Sequence, residues 1–263
     1  LALNRRARAS ARLPSRHELR RPFGRSARVK NAGRLENSMI RAIVTDIEGT
    51  TTAIAFVKEA MFPFAEAALD GFLDAEGDTP EVAAILREVG ENPRQTLRAW
   101  MAADSKATPL KALQGLIWQA GFADGRLRGH LWPDVAACLR AWHAAGLRLA
   151  VYSSGSVAAQ KLLFGHSEAG DVTALFEAFF DTRAGAKREA DSYAAIAAGL
   201  ALPPGDILFL SDVVEELDAA RQAGLATCQL VRAADGTQPS GRHAEAADFP
   251  AVARHFGLPH AAG

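Results

Sequence analysis

Two carboxylates one residue apart, Asp46 and Glu48, close a short apolar run beginning at Ile40 and are followed by Gly49, Thr50, Thr51 and Thr52. Such a pair could divide labour, one acid attacking as a nucleophile while the other moves a proton, and oxygen ligands of this kind suit Mg²⁺. An isolated D-x-E-G-T stretch could equally do no more than cap a loop. Later positions break that tie. Ser153 and Ser154 follow the apolar run Leu147 to Tyr152, Lys187 follows a turn at Gly185, and Asp212 closes the run from Asp206. Hydroxyls and backbone N–H groups at a strand end could hold a phosphate, although Ser is also a common helix N-cap. A lysine ahead of a helix N-terminus could stand beside the same phosphate, and Asp212 has the place of a metal ligand.

These positions need one scaffold that brings strand ends together. Ile40 to Thr45, Leu147 to Tyr152, Phe176 to Phe180, Asp206 to Ser211 and Ala226 to Val231 are short, β-branched or apolar runs that read as buried strands. Helical periods alternate with them, including Pro133 to Ala145 with Gly146 at its end. Alternation of this kind predicts an α/β fold with a parallel, Rossmann-like sheet, whose ligands bind beyond the carboxyl ends of the strands. The Gly-, Ser- and His-rich stretch to Ala247 reads as an irregular loop. Glu215 and Glu216 read as first-turn acids that complement a helix dipole.

From about Phe56 to Gly129 the apolar spacing is helical, as in Val82, Ile85, Leu86 and Val89, and Gly and Pro divide it into about four helices. One crossover needs a single helix, so the surplus predicts an inserted module. The expected organisation is a catalytic core over residues 39–56 and 130–263, a helical module over 57–129, and a basic, disordered extension over 1–38. Trp100 and Trp118 read as core residues of the module, and Lys106, Lys111 and Gln114 as solvated ones.

Formal net charge is zero, but eleven of the 30 Lys and Arg lie in residues 1–38 against only Glu18 and Glu36 there. The remainder is therefore acidic, with 19 basic and 28 acidic side chains. An acidic body is a poor nucleic-acid binder, and a phosphate substrate would need local positive charge from a metal and a lysine. The Arg-rich extension fits a transit peptide, a nucleic-acid-binding arm or translated sequence upstream of a start at Met39; the third reading is favoured because Met39 directly precedes the first strand. No apolar run is long enough to span a bilayer. Cys138 and Cys228 lack the spacing of a zinc site or disulfide framework and read as buried thiols in a reducing compartment.

Several phrases are narrower than this general pattern: DIEGTTT at Asp46, LKALQGLIW at Leu110, VYSSGSVAAQKLLF at Val151, FDTRAGAKREADSY at Phe180 and LFLSDVVEELDAA at Leu208. They resemble the enolase-phosphatases of methionine salvage, within the haloacid dehalogenase-like phosphohydrolases, from Met39 to about Val231. The resemblance implies that the helical module is a cap over the active site. It also implies Mg²⁺ bound by Asp46, Glu48 and Asp212, and substrate bound by Ser153, Ser154 and Lys187. Asp46 and Glu48 would be catalytic. The implied substrate is a small phosphorylated diketone, 2,3-diketo-5-methylthiopentyl phosphate, which is enolised and dephosphorylated by a cytoplasmic monomer. Rival readings are a phosphatase for another small monoester, a dehalogenase, which has no need of Glu48, and a binding module, which would not need every catalytic position filled.

Overall fold

The structure, a computed structural model, describes residues 39–259. The expectations for residues 1–38 lie outside them. Six strands, β1 (Ala42–Thr45), β2 (Arg148–Tyr152), β3 (Ala178–Phe180), β4 (Ile207–Ser211), β5 (Ala226–Leu230) and β6 (Ala244–Ala246), form one parallel sheet in the order β3-β2-β1-β4-β5-β6. Five of them coincide with the expected strands. The sixth corrects the reading of an irregular loop: Cys228, Gln229 and Leu230 pair with Ala244, Glu245 and Ala246, too short a segment to carry a period of its own.

Alternate residues of each strand enter opposite faces of the sheet, as the pleat requires. Ile43, Leu149, Val151, Leu208 and Leu210 pack on one side with α5 (Val135–Ala144), α6 (Val157–Gly165) and α9 (Phe249–Phe256). Ala42, Val44, Ala150, Tyr152, Ile207 and Phe209 pack on the other with α7 (Ala190–Gly199) and α8 (Val214–Gln222). A sheet covered on both faces and built from parallel strands is the doubly wound, Rossmann-like α/β architecture.

Between β1 and α5 the chain forms α1 (Phe62–Glu76), α2 (Pro80–Val89), α3 (Pro93–Ala102) and α4 (Thr108–Ala123), and α1 is continuous with a π-helical stretch at Phe56–Met61. These helices close on their own apolar cluster of Ala65, Leu69, Leu73, Val82, Leu97, Leu110, Leu113 and Ile117. Phe64 and Trp118 pack against both this cluster and the sheet core, and Trp118 Nε1 donates to the Met61 carbonyl at 2.8 Å. Gln114, expected at the surface, is buried, whereas Lys106 and Lys111 are exposed. Both cysteines are buried and free. Among the described residues, no helix is long and apolar enough to cross a membrane.

Candidate active site

The strand order places the carboxyl ends of β2 and β4 on either side of β1. Thr45 lies level with Val151 and Leu210, so Asp46, Ser153 and Asp212 leave the same sheet edge within two residues of aligned positions. Asp46 N–H still donates to the Leu210 carbonyl at 2.9 Å, which ties the residue to β4. The chain then turns sharply. The Ile47 carbonyl accepts from the N–H groups of Thr51 and Thr52 at 2.9 and 3.0 Å, and Gly49 adopts φ +72°. A side chain at that position would collide with the Asp212 carboxylate as well as strain the backbone, so this turn requires glycine.

Ser153 is buried, and its N–H donates to the Phe180 carbonyl at the end of β3, 3.1 Å away. Buried Gln160 fixes the following loop by donating from Nε2 to the carbonyls of Gly155 and Phe180 at 2.8 and 2.9 Å. The N-cap of α6 is Ser156, whose hydroxyl accepts from Ala159 N–H. Capping of α6 therefore does not engage Ser153 and Ser154, although Ser153 Oγ accepts from Gly155 N–H at 3.3 Å.

Lys187 is far from the solvated lysine that a loop position suggests. Its side chain is only 11 % exposed, and Nζ lies 2.7 Å from Asp46 Oδ1 and 2.7 Å from Glu216 Oε2. Three successive carbonyls hold its loop: Gly185 accepts from Tyr152 OH at 3.0 Å, Ala186 from Ser192 Oγ at 2.8 Å, and Lys187 from Tyr193 OH at 2.6 Å. Burial alone would depress the ammonium pKa, but Asp46 and Glu216 outweigh it and raise the pKa above its ordinary value.

Glu216 changes role relative to the sequence reading. Glu215 stays exposed, whereas Glu216 is buried, pairs with Lys187 and accepts from Ser211 Oγ at 3.0 Å. Burial, followed by the charge of Asp46, raises its carboxyl pKa despite the lysine beside it. The two shifts agree physically because one cation serves two carboxylates. Lys187 keeps its proton, and the acids remain under-compensated.

Asp46, Glu48, Ser153, Ser154, Lys187 and Asp212 all line one cavity of about 200 Å³, together with Ile54, Lys58, Val213 and Glu216. Four carboxylates thus face two lysines. Burial and the Asp46 charge push the Asp212 carboxyl up to about 7, and its Oδ1 is buried without a hydrogen-bond partner. Excess negative charge and an orphaned hard oxygen are what a divalent cation would satisfy. Among the described residues no three Asp, Glu, His or Cys side chains form a closed metal cage. Glu48 is the most exposed of the three expected ligands; burial first and Asp46 second raise its pKa, against the pull of Lys187, Lys58 and Lys106.

A family model described as haloacid dehalogenase-like hydrolase matches residues 40–224. Over 226 residues the chain is 59 % identical to the enolase-phosphatase E1 of Granulibacter bethesdensis, covering 84 % of this chain and 98 % of that protein. It is 54 % identical to the protein of the same name from Acidiphilium cryptum over 222 residues, covering 82 % and 96 %. Among solved structures, the UTR4 protein of Saccharomyces cerevisiae superposes with a TM-score of 0.71 at 31 % identity, covering 80 % of this chain and 98 % of that one. CbbY from Rhodobacter sphaeroides, solved with phosphate, shares the fold at a TM-score of 0.54 and 20 % identity.

Proposed function

The chain belongs to the enolase-phosphatases, within the haloacid dehalogenase-like hydrolases, and from that membership we propose that it enolises and dephosphorylates 2,3-diketo-5-methylthiopentyl phosphate in methionine salvage. The observation that carries the reading to this chain's residues is their convergence: every position expected to act lines one small cavity. We read α1–α4 as a cap, within a module spanning residues 57–129.

Unaided hydrolysis of a phosphate monoester is so slow that acceleration approaches ~10²¹-fold, so several groups must act together. One oxygen of Asp46 is occupied by Lys187. Its other oxygen, Oδ2, accepts no hydrogen bond among the described residues and is the nucleophile. Attack forms an O–P bond to Asp46 and breaks the P–O bond to the substrate; Glu48 donates a proton to the departing oxygen. Water then attacks phosphorus, Glu48 takes its proton, and the bond to Asp46 breaks to release phosphate. A raised carboxyl pKa suits Glu48 to this exchange. Lys187 balances the phosphoryl oxygens, and Ser153 and Ser154 orient them. Asp46 and Asp212, with Glu48, would hold Mg²⁺, which when bound supplies Lewis-acid stabilisation of oxygen anions. In the enolisation, Glu48 removes the proton from the carbon that bears the phosphate, and the C–H electron pair passes to the adjacent carbonyl oxygen as an enolate.

The test is an anaerobic assay of the diketo phosphate with Mg²⁺, following enol absorbance and phosphate release together. Enol followed by phosphate is expected in wild type, with phosphate release lost in Asp46→Asn. Hydrolysis of simple monoesters without turnover of the diketone would assign the chain a different phosphate ester, and substantial phosphate release by metal-saturated Asp46→Asn would refute the nucleophile.

A further inference from the structure

The chain passes from the nucleophile turn into the first long helix through Thr51, Thr52 and Ala53, and this crossover is gripped from outside. Arg232 Nη2 and Nε donate to the Thr50 carbonyl at 3.0 and 3.3 Å, and the same guanidinium pairs with both oxygens of Asp134 at 2.8 and 2.9 Å. Three residues on, at the end of the Ala233–Asp235 turn, both carboxylate oxygens of Asp235 accept from Ile54 N–H at 3.2 Å. Ile54 is the first helical residue, so this N–H has no partner within the helix. His130 supplies the remaining hold: its Nδ1 accepts from Ala53 N–H at 3.2 Å and lies 3.0 Å from Thr52 Oγ1.

The position of this anchor matters because of the helix it starts. Residues Phe56–Met61 wind as a π-helix, a rare form that departs from the usual hydrogen-bond ladder. Ile54 and Lys58, four residues apart and so on neighbouring positions of one face, both line the cavity with Asp46 and Glu48. One brings apolar surface and the other a cation. Neither belongs to the group Asp46, Ser153, Ser154 and Lys187 that would handle phosphate. The carboxylate of Asp235 thus stands behind the start of the helix that brings Ile54 and Lys58 to the cavity.

We propose that Asp235 is a positioning residue for substrate recognition. By fixing where the entry helix begins, it sets Ile54 and Lys58 as the wall that reads the non-phosphate part of the substrate, a segment carrying both an apolar chain and carbonyl oxygens. The assignment rests on the cavity being a phosphate-ester site. The specificity it describes is supplied from a loop far along the sequence.

The experiment uses the full chain with saturating Mg²⁺. Wild type is first scanned on a panel of phosphate esters that includes the diketo phosphate; failure on that ester alone refutes the functional reading and leaves Asp235 to be judged on the best ester of the panel. Asp235→Ala, Lys58→Met and the double variant are then compared by KM for that ester, by inhibition with inorganic phosphate, and by amide exchange across residues 51–60. Loss of a helix-start acceptor predicts a KM increase of about threefold to thirtyfold in Asp235→Ala. Inhibition by phosphate stays within about twofold because its partners are held elsewhere, and exchange accelerates at Ile54. Since Asp235 acts partly through Lys58, adding Asp235→Ala to Lys58→Met raises KM by a smaller factor than Asp235→Ala raises it in wild type. Equal losses for ester and phosphate, an unchanged KM, or independent multiplication of the two single effects would each overturn the assignment.

Discussion

Replacing Lys187 with Met keeps most of the side-chain volume and removes the one cation shared by two carboxylates. Its Nζ lies 2.7 Å from an oxygen of each, and the Asp46 and Glu216 side chains are 7 % and 11 % exposed. Removing one partner of a buried ion pair costs ~3–5 kcal/mol, and the cavity lets some water reach these acids, which favours the lower figure of about 3 kcal/mol. At roughly 2–4 °C per kcal/mol for a chain of this size, melting should fall by about 6–12 °C at about pH 8.5. Glu216 sets the sign of the pH dependence. Its folded pKa is already raised by burial and rises further without the lysine. A carboxyl raised in this way leaves stability intact below its unfolded pKa and removes it as pH rises through the folded value. The deficit of Lys187→Met should therefore be small at about pH 5 and large at about pH 8.5, because it builds only above the folded value of about 7 that Glu216 already has with the lysine in place. Thermal melts of metal-free protein at both pH values test this, with Glu216→Gln added to Lys187→Met to remove one stranded charge and restore part of the loss. A melting temperature within about 2 °C of wild type at about pH 8.5, a deficit indifferent to pH, or further destabilisation by Glu216→Gln would refute the shared-cation account. Phosphate release by the metal-saturated variant should fall separately, by about 10²–10³.

Other changes probe different parts of the scaffold. Gly49→Ala forces a left-handed residue at a cost of roughly 1–2 kcal/mol and drives its new methyl into the Asp212 carboxylate, so the Mg²⁺ concentration for half-maximal phosphate release should rise at least about tenfold; an unchanged Mg²⁺ requirement would contradict the close packing of that turn. Burial pushes the thiols of Cys138 and Cys228 up to about 11 and about 12. Unfolded thiols ionise first as pH rises from about 9, so stability should decline on the alkaline side, and labelling by a thiol reagent near pH 8 should follow global unfolding. Fast labelling of folded protein would contradict their burial.

The strand-end residues were legible because each follows a short apolar run and precedes a turn, a local signature shared by Asp46, Ser153, Ser154 and Asp212. Lys187 could be placed by the turn before it and the helix after it. Its burial could not, since that depends on Tyr152, Tyr193 and Glu216 arriving from other elements. Glu216 was hidden for a helical reason: acids at 215 and 216 both suit a first turn, and only the rotation of α8 against the sheet decides which enters the site. Arg232 and Asp235 grip partners more than 180 residues earlier, a separation that no spacing rule spans. Three-residue β6 was masked by its surroundings, as it draws its identity from pairing with β5.

The three carbonyl contacts around Lys187 bear on when disorder is lost. A lysine stem carries about 2 kcal/mol of rotamer entropy, and each loop residue about 1–2 kcal/mol of backbone entropy. With Tyr152, Ser192 and Tyr193 holding successive carbonyls, and two carboxylates holding the ammonium, that freedom is surrendered once, when the chain folds. On the proposed reading, an arriving phosphate would meet a cation already halted in place, and no part of its binding free energy would be diverted, turnover after turnover, into stilling the loop.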